Sequence, residues 1–286
     1  MNQSEGLEID WETVVDCRVF QFLRQIFKLP FIFITNTILM SGHSKWATIK
    51  RKKGALDAKR GKVFTKIIKE ISIAAKLGGP DPDANPRLRL AIQNAKGANM
   101  PKDNIERAIK KGSGTDGADY IETTYEGNYG NVGIFIECTT DNLNRTVSNI
   151  RSAFNKHGGN LGTNGSLSFI FSRKGVFTIV QPENLDMDEF TLELIDAGAD
   201  DVEVEEGYIT VTCAMEDFGA LQKKLDGMKI TVENAGLQRI PSVLAKLDDE
   251  TLKKAMKFIE VLEDDDDIQK VYHNIETTEE QMELID

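Results

Sequence analysis

A chain of 286 residues is longer than one hydrophobic core usually organises, so two or three domains are expected. Its three cysteines, Cys17, Cys138 and Cys213, lie far apart with no C-x-x-C pair, which excludes a zinc ribbon, a redox motif and a disulfide framework and suits a reducing, cytoplasmic setting. A formal charge of −11 would repel phosphate at long range, yet it averages two opposite regions: residues 43–112 hold 18 Lys and Arg against 6 Asp and Glu, and residues 113–286 hold 14 against 35. Such asymmetry is the footprint of a nucleic-acid-facing module.

In chain order, residues 19–40 are apolar but interrupted by Arg24, Lys28 and Pro30, leaving a run far short of the roughly 20 residues that a spanning helix needs. Glu5, Glu8, Asp10, Glu12 and Asp16 precede it, where a secretory signal would carry cations. No membrane role follows, and residues 1–39 read as an extension, either a peripheral appendage or, the favoured reading, sequence upstream of a start at Met40. Residues 58–77 form an amphipathic helix, with Val63, Ile67, Ile71 and Ala74 recurring at three- and four-residue steps. On its other side Lys59, Lys62, Lys66, Lys69 and Lys76 fall within about 100° of arc. Asn85-Pro86 supplies a cap and a first-turn proline for a second helix that stops at Gly97, and Pro101 opens a third that closes on Lys110-Lys111-Gly112. Residues 40–117 therefore read as a basic helical domain.

The period then changes. Residues 120–126 and 132–138 alternate as strands around the hairpin signal Gly127-Asn128-Tyr129-Gly130, 142–157 is helical and 166–171 extended. Next come a strand at 176–180, a helix at 187–197, strands at 202–205 and 208–213, a helix at 215–225 and a strand at 230–240. That order, βαββαβ, suits a ferredoxin-like sandwich. A last helix at 248–262 and strand at 268–275 have no partners in it and complete the earlier ββαβ set. The expected fold class is α+β: an N-terminal helical domain followed by two α/β (ferredoxin-like) domains, residues 174–244 being inserted into a domain made of 118–173 and 245–286.

The densest chemistry lies at 42–53, where His43, Lys45, Trp46, Lys50, Arg51, Lys52 and Lys53 stand within a dozen residues. Cations neutralise phosphates and release counterions without choosing a sequence, and an indole offers either a stacking surface or a core anchor. With the stripe of Lys59, Arg60, Lys62, Lys66 and Lys69 on the following helix, this run forms the candidate nucleic-acid contact surface. His43 reads as a cap or phosphate contact, since no Cys or His stands at ligand spacing from it. The tip Gly97-Ala98-Asn99-Met100-Pro101 reads either as a tight interhelical turn or as a contact that exposes Met100 between two helices, and on the second reading Asn99, Met100 and Lys102 join the candidate contacts. Of the 18 cations in 43–112, 13 are Lys, suited to phosphate as point charges rather than to bidentate reading of guanine, and no recognition helix of a helix-turn-helix is evident.

The stretch MSGHSKWATIKRKKGALDAKRGKVFTKIIKEI closely resembles the N-terminal signature of the YebC/PmpR family. The blocks NPRLRLAIQNAKGANMPKDNIERAIKKG, YEGNYGNVGIFIECTTDNLNRT and HGGNLGTNGSLSFIF are similar to later blocks of that family, so the resemblance runs from Met40 to the C-terminus. Departures are small: Arg51 stands where the family often has His, and Gly54 where it has Ala. The resemblance implies a helical domain plus two α/β domains. It also implies regulation of gene expression, either by binding promoter DNA or as a ribosome-bound translation factor acting at proline-rich stretches. Partners would be ribosomal RNA and tRNA, or duplex DNA, with ribosomal proteins as a further expectation.

No enzyme site is expected, because His43, His157 and His273 fall in separate elements. Neither G-x-S-x-G nor a P-loop accompanies the glycines at 158–159, which read as a helix-to-strand connection. The acidic run 263–267 lacks the alternation and glycine of an EF-hand and reads as a solvated loop, so no metal or cofactor is expected. The rival reading is an acidic α/β scaffold whose basic helices are incidental.

Overall fold

The computed structural model describes residues 57–114, 119–182, 185–205, 207–278 and 280–281. Three helices come first: α1 (Asp57–Gly78), α2 (Pro86–Gly97) and α3 (Lys102–Ser113). Their apolar faces close on Ile71, Ala74, Leu88, Ala91, Ala95, Ile105 and Ala108. Asn85 both ends one helix and begins the next. Its amide nitrogen donates to the carbonyls of Ala74 (2.7 Å) and Gly79 (2.9 Å), and its oxygen accepts from the N–H of Leu88 at 3.1 Å, so one side chain ties the end of α1 to a first-turn N–H of α2 that would otherwise lack a partner.

A hairpin follows, β1 (Ile121–Tyr129) and β2 (Val132–Thr140), turning on Gly130-Asn131 with Gly130 at φ 59°, a value that favours glycine. Then come α4 (Leu143–His157), capped by Asn142, and β3 (Asn160–Leu161), which pairs with β1. Strand β4 (Phe171–Val180), helix α5 (Met187–Asp196), strands β5 (Ala199–Glu205) and β6 (Tyr208–Ala214), helix α6 (Phe218–Gly227) and strand β7 (Val232–Pro241) make the βαββαβ unit. Its sheet order, β5-β6-β4-β7 with every pair antiparallel, is that of a ferredoxin-like sandwich.

The chain then returns through β8 (Ala245–Lys246), α7 (Asp249–Glu263), β9 (Ile268–His273) and β10 (Ile275–Glu276). Strand β9 pairs with β2, matching Ile134 to His273 and Ile136 to Val271, so one sheet, β3-β1-β2-β9, is built from both ends of the α/β region. Helices α4 and α7 cover one face of it, where Phe154 and Phe258 meet edge to face at 4.9 Å. The architecture is α+β, helices first and two sheet units after.

Residues 166–170 correct the sequence expectation. They form successive turns, and the strand begins only at Phe171. The cause lies 40 residues upstream: the buried Glu126 carboxylate accepts from the N–H groups of Gly165 (2.8 Å) and Leu167 (2.7 Å) and from the Ser166 hydroxyl (3.2 Å). Bonds to one charged acceptor replace the ladder that an extended strand would need.

Helix α2 closes the β7 edge of the second sheet. The Asn94 amide donates to the carbonyl of Ala235 (2.8 Å) and accepts from its N–H (2.9 Å), standing in for a neighbouring strand. Close approach is possible because position 97 lacks a side chain: a Cβ on Gly97 would sit 1.9 Å from the Glu233 carbonyl oxygen. Gly97→Ala is therefore expected to lower stability by about 1–3 kcal/mol. Gly61→Ala, in helix α1 with nothing within 4 Å of the added methyl, is expected to raise it by up to about 1 kcal/mol. Urea denaturation of the two variants checks the opposite signs.

Candidate nucleic-acid interface

The sequence-derived contacts His43, Lys45, Trp46, Lys50, Arg51, Lys52 and Lys53 lie outside the described residues. Lys59 and Arg60 fall in the first turn of α1. Further along this helix the lysine stripe is engaged within the protein. Lys62 pairs with the Asp264 carboxylate at 2.9 Å, Lys66 donates to the Glu263 carbonyl at 2.9 Å, and Lys69 reaches past both.

Lys69 is nearly enclosed and spends all three ammonium protons: on the carbonyls of Asp266 (2.7 Å) and Thr139 (3.3 Å) and on the Asp267 carboxylate (3.1 Å). The second oxygen of Asp267 accepts from Arg145, through Nη2 at 2.7 Å and Nε at 3.0 Å, and from the Thr146 hydroxyl at 3.1 Å. Burial alone would lift the Asp267 carboxyl. Donation from Arg145, Lys69 and Thr146 outweighs it and holds the group below the ordinary aspartate value.

The acidic run 263–267 is thus not the solvated loop that the sequence suggested. It follows the C-terminus of α7, where helix carbonyls already carry partial negative charge, and five carboxylates there would repel one another without cations. The lysines of α1, spaced one turn apart, supply them. Sequence reading named the run that holds Asp267 but not its pairing, and it missed Arg145. The signal available to it was the opposite sign of one basic stripe and one acidic run.

The interhelical tip also differs from expectation. Met100 is 6% exposed and packs with Ala95 and Ile105 in the helical core, so it is not presented to solvent. Its N–H bonds the Ala95 carbonyl at 2.9 Å, which draws the chain back over the end of α2. Asn99 is the exposed residue there, at φ 56°, a left-handed position that asparagine tolerates. Beside it Lys96, Lys102, Arg107, Lys110 and Lys111 are exposed on α2 and α3. Lys102 is spanned by Glu106 at 3.4 Å and Lys76 by Asp119. The outward positive surface of the described helical region therefore lies on α2 and α3 rather than along the α1 stripe.

Among the described residues nothing comparable gathers around nucleophiles. Among the described residues no group of three or more His, Cys, Asp and Glu could hold a metal ion, and no helix is long and apolar enough to cross a membrane. The His157 ring stacks on Phe258 at 5.1 Å, while His273 is buried in β9. Burial pushes the Cys138 thiol up to about 12 and the Cys213 thiol up to about 11, so neither is a thiolate at neutral pH.

Residues 44–115 match the family description "TACO1/YebC protein N-terminal domain", and residues 120–275 match "TACO1/YebC second and third domain". A protein of Amoebophilus asiaticus named "Probable transcriptional regulatory protein" is 58% identical over 239 residues, which is 82% of this chain and 98% of the relative. The Bacillus subtilis protein named "Probable transcriptional regulatory protein YrbC" is 49% identical, with 82% of this chain and 99% of the relative covered. The crystal structure of a conserved hypothetical protein from Aquifex aeolicus superposes with a TM-score of 0.71 at 42% identity, covering 78% of this chain and 93% of that one.

The Lys69 network separates two kinds of ion pair. Lys69→Met leaves Asp267 enclosed without its ammonium partner and is expected to cost about 3–5 kcal/mol in chemical denaturation. Lys62→Met, where the paired side chains are 42% and 61% exposed, is expected to cost no more than about 1 kcal/mol. Because the folded carboxyl titrates below its unfolded value, the Asp267 contribution is complete above about pH 4 and fades as pH falls through the lowered value. Stability measured against pH is expected to lose that acid-side slope in Asp267→Asn.

Proposed function

Because the chain belongs to the TACO1/YebC family, we propose that it is a non-enzymatic, cytoplasmic, nucleic-acid-binding regulator of gene expression, acting first on structured RNA of the ribosome or its tRNA. The observation that carries this reading is the exposed cation surface of α2 and α3, set in a chain whose remainder is acidic. Lys96, Lys102, Lys110 and Lys111 are compact point charges that suit phosphates. Sequence choice through bidentate guanine contacts would call for arginines along one groove-facing helix.

In this reading His43, Lys45, Trp46, Lys50, Arg51, Lys52, Lys53, Lys59 and Arg60 extend the same surface toward the N-terminus, and Asn99 with Lys102 forms its leading edge. Met100 shapes the tip from within. Lys62 and Lys66 reach phosphate only by exchanging their contacts with the acidic loop, while Lys69 acts by holding α1 in place. Residues 118–173 with 245–286, and the inserted 174–244, are proposed as the two acidic domains that orient it. The names of the relatives favour a second reading, regulation of transcription at promoter DNA. An acidic scaffold with incidental helices is the outcome left if no nucleic acid binds.

Co-sedimentation with ribosomes at graded salt, beside a duplex-DNA shift on the same preparation, tests the order of preference. Ribosome binding is expected to persist at salt that abolishes the DNA shift. The triple variant Lys102→Glu, Lys110→Glu, Lys111→Glu is expected to weaken binding and to flatten the slope of log affinity against log salt by roughly 0.7–0.9 for each phosphate no longer neutralised. Binding that ignores both salt and these reversals removes the reading.

A further inference from the structure

The β5-β6-β4-β7 sheet treats its two edges differently. Helix α2 closes the β7 edge through Asn94, whereas among the described residues β5 pairs only with β6. An edge strand left this way turns half of its N–H and C=O groups outward, ready to pair with another extended chain.

What flanks that edge is apolar. On α5, Phe190 and Leu194 are buried against the sheet, while Leu192 and Ile195 are 65% and 51% exposed. Glu193 pairs with Lys224 of α6 at 2.8 Å, which marks the side of α5 that looks inward along the helix layer. At about 100° per residue Ile195 falls on the opposite side, toward β5, with Leu192 next to it. Val204 continues the rim: it lies on the same strand face as Val202, which packs on the core, but is itself 49% exposed.

What frames the edge is acidic. Residues 174–244 carry 15 Asp and Glu against 5 Lys and Arg, and β5 itself reads Asp200, Asp201, Glu203, Glu205. Asp201, Glu203 and Glu205 alternate with Val202 and Val204, so one strand face is charged and the other apolar. A second copy of this strand would set carboxylate against carboxylate, and nucleic acid would meet the same repulsion. An extended segment with lysine or arginine at every second position and apolar residues between them is complementary on both faces.

We propose that β5 is a docking edge that takes up an extended, Lys/Arg-rich segment of a partner protein as an added strand. The apolar side chains of that segment lie over Val204 and Ile195, and its cations meet Glu203 and Glu205. The site is remote in chemistry from the exposed lysines of α2 and α3, so it stands or falls independently of the nucleic-acid reading.

Hydrogen–deuterium exchange on the intact chain tests it, with a ten-residue peptide alternating Lys and Val as the probe. Exchange across 199–205 is expected to slow about tenfold at saturating peptide. The same peptide N-methylated at every second residue keeps every charge and side chain but loses one hydrogen-bonding edge, and it is expected to give no such protection. A Glu/Val peptide and the variant Glu203→Lys, Glu205→Lys are expected to abolish binding. Equal protection by the N-methylated peptide would mean charge attraction alone and overturns the proposal. Protection centred outside β5 and α5, absence of binding, or protection that appears without peptide as protein concentration rises overturns it as well.

Discussion

Lys69 and Asp267 meet in a place where neither charge could stand alone. Taking an ammonium and a carboxylate out of water costs several kcal/mol each, and their attraction repays this only if every remaining donor and acceptor is used. Here it is: three protons of Lys69 find three oxygens, and the carboxylate takes Lys69 on one side and Arg145 with Thr146 on the other. The partners come from α1, the end of β2, α4 and the loop before β9, so the network fixes the first described helix against the last strand of the sheet. Lys62 and Lys66 add weaker contacts to the same loop. Placement of the helical region rests on this site, on the Asn94 contact at the far sheet and on Arg87, whose guanidinium meets the Glu122 carboxylate of β1 at 2.6 and 3.0 Å.

The α1 lysines on this loop explain why the charge separation along the sequence is only partly kept in space. Part of the positive surface is spent neutralising the C-terminal end of α7, and what faces outward is the remainder on α2 and α3. A lysine stripe on an amphipathic helix is ambiguous from sequence because carboxylates and phosphates attract it alike. Coulomb attraction fixes only the sign of a partner. The geometry of a particular loop, some 200 residues downstream, decides which partner arrives.

The same distinction governs how much was legible beforehand. Helix limits at Asn85, Pro86, Gly97 and Pro101 could be read because capping is a local matter between a side chain and the next turn. The βαββαβ unit was legible because its alternation of periods survives in each segment. Residues 166–170 were not, since their conformation answers to Glu126, whose carboxylate belongs to a strand well upstream. Met100 was misjudged for a similar reason: the tip was read as a protrusion, while the turn after Gly97 folds its apolar side chain back under Ala95. Of the candidate site, residue types and sign of charge were legible, and orientation was not.

The way α2 meets β7 has a consequence for sequence drift. Asn94 reads only the backbone of Ala235, and Gly97 rests on the backbone carbonyl of Glu233. Backbone groups are common to every residue except proline, so side chains along that stretch can change without altering what Asn94 recognises. The joint itself makes its side-chain demands on two positions of one helix and asks only a backbone of β7, where Ala235 answers instead to its burial in the sheet core.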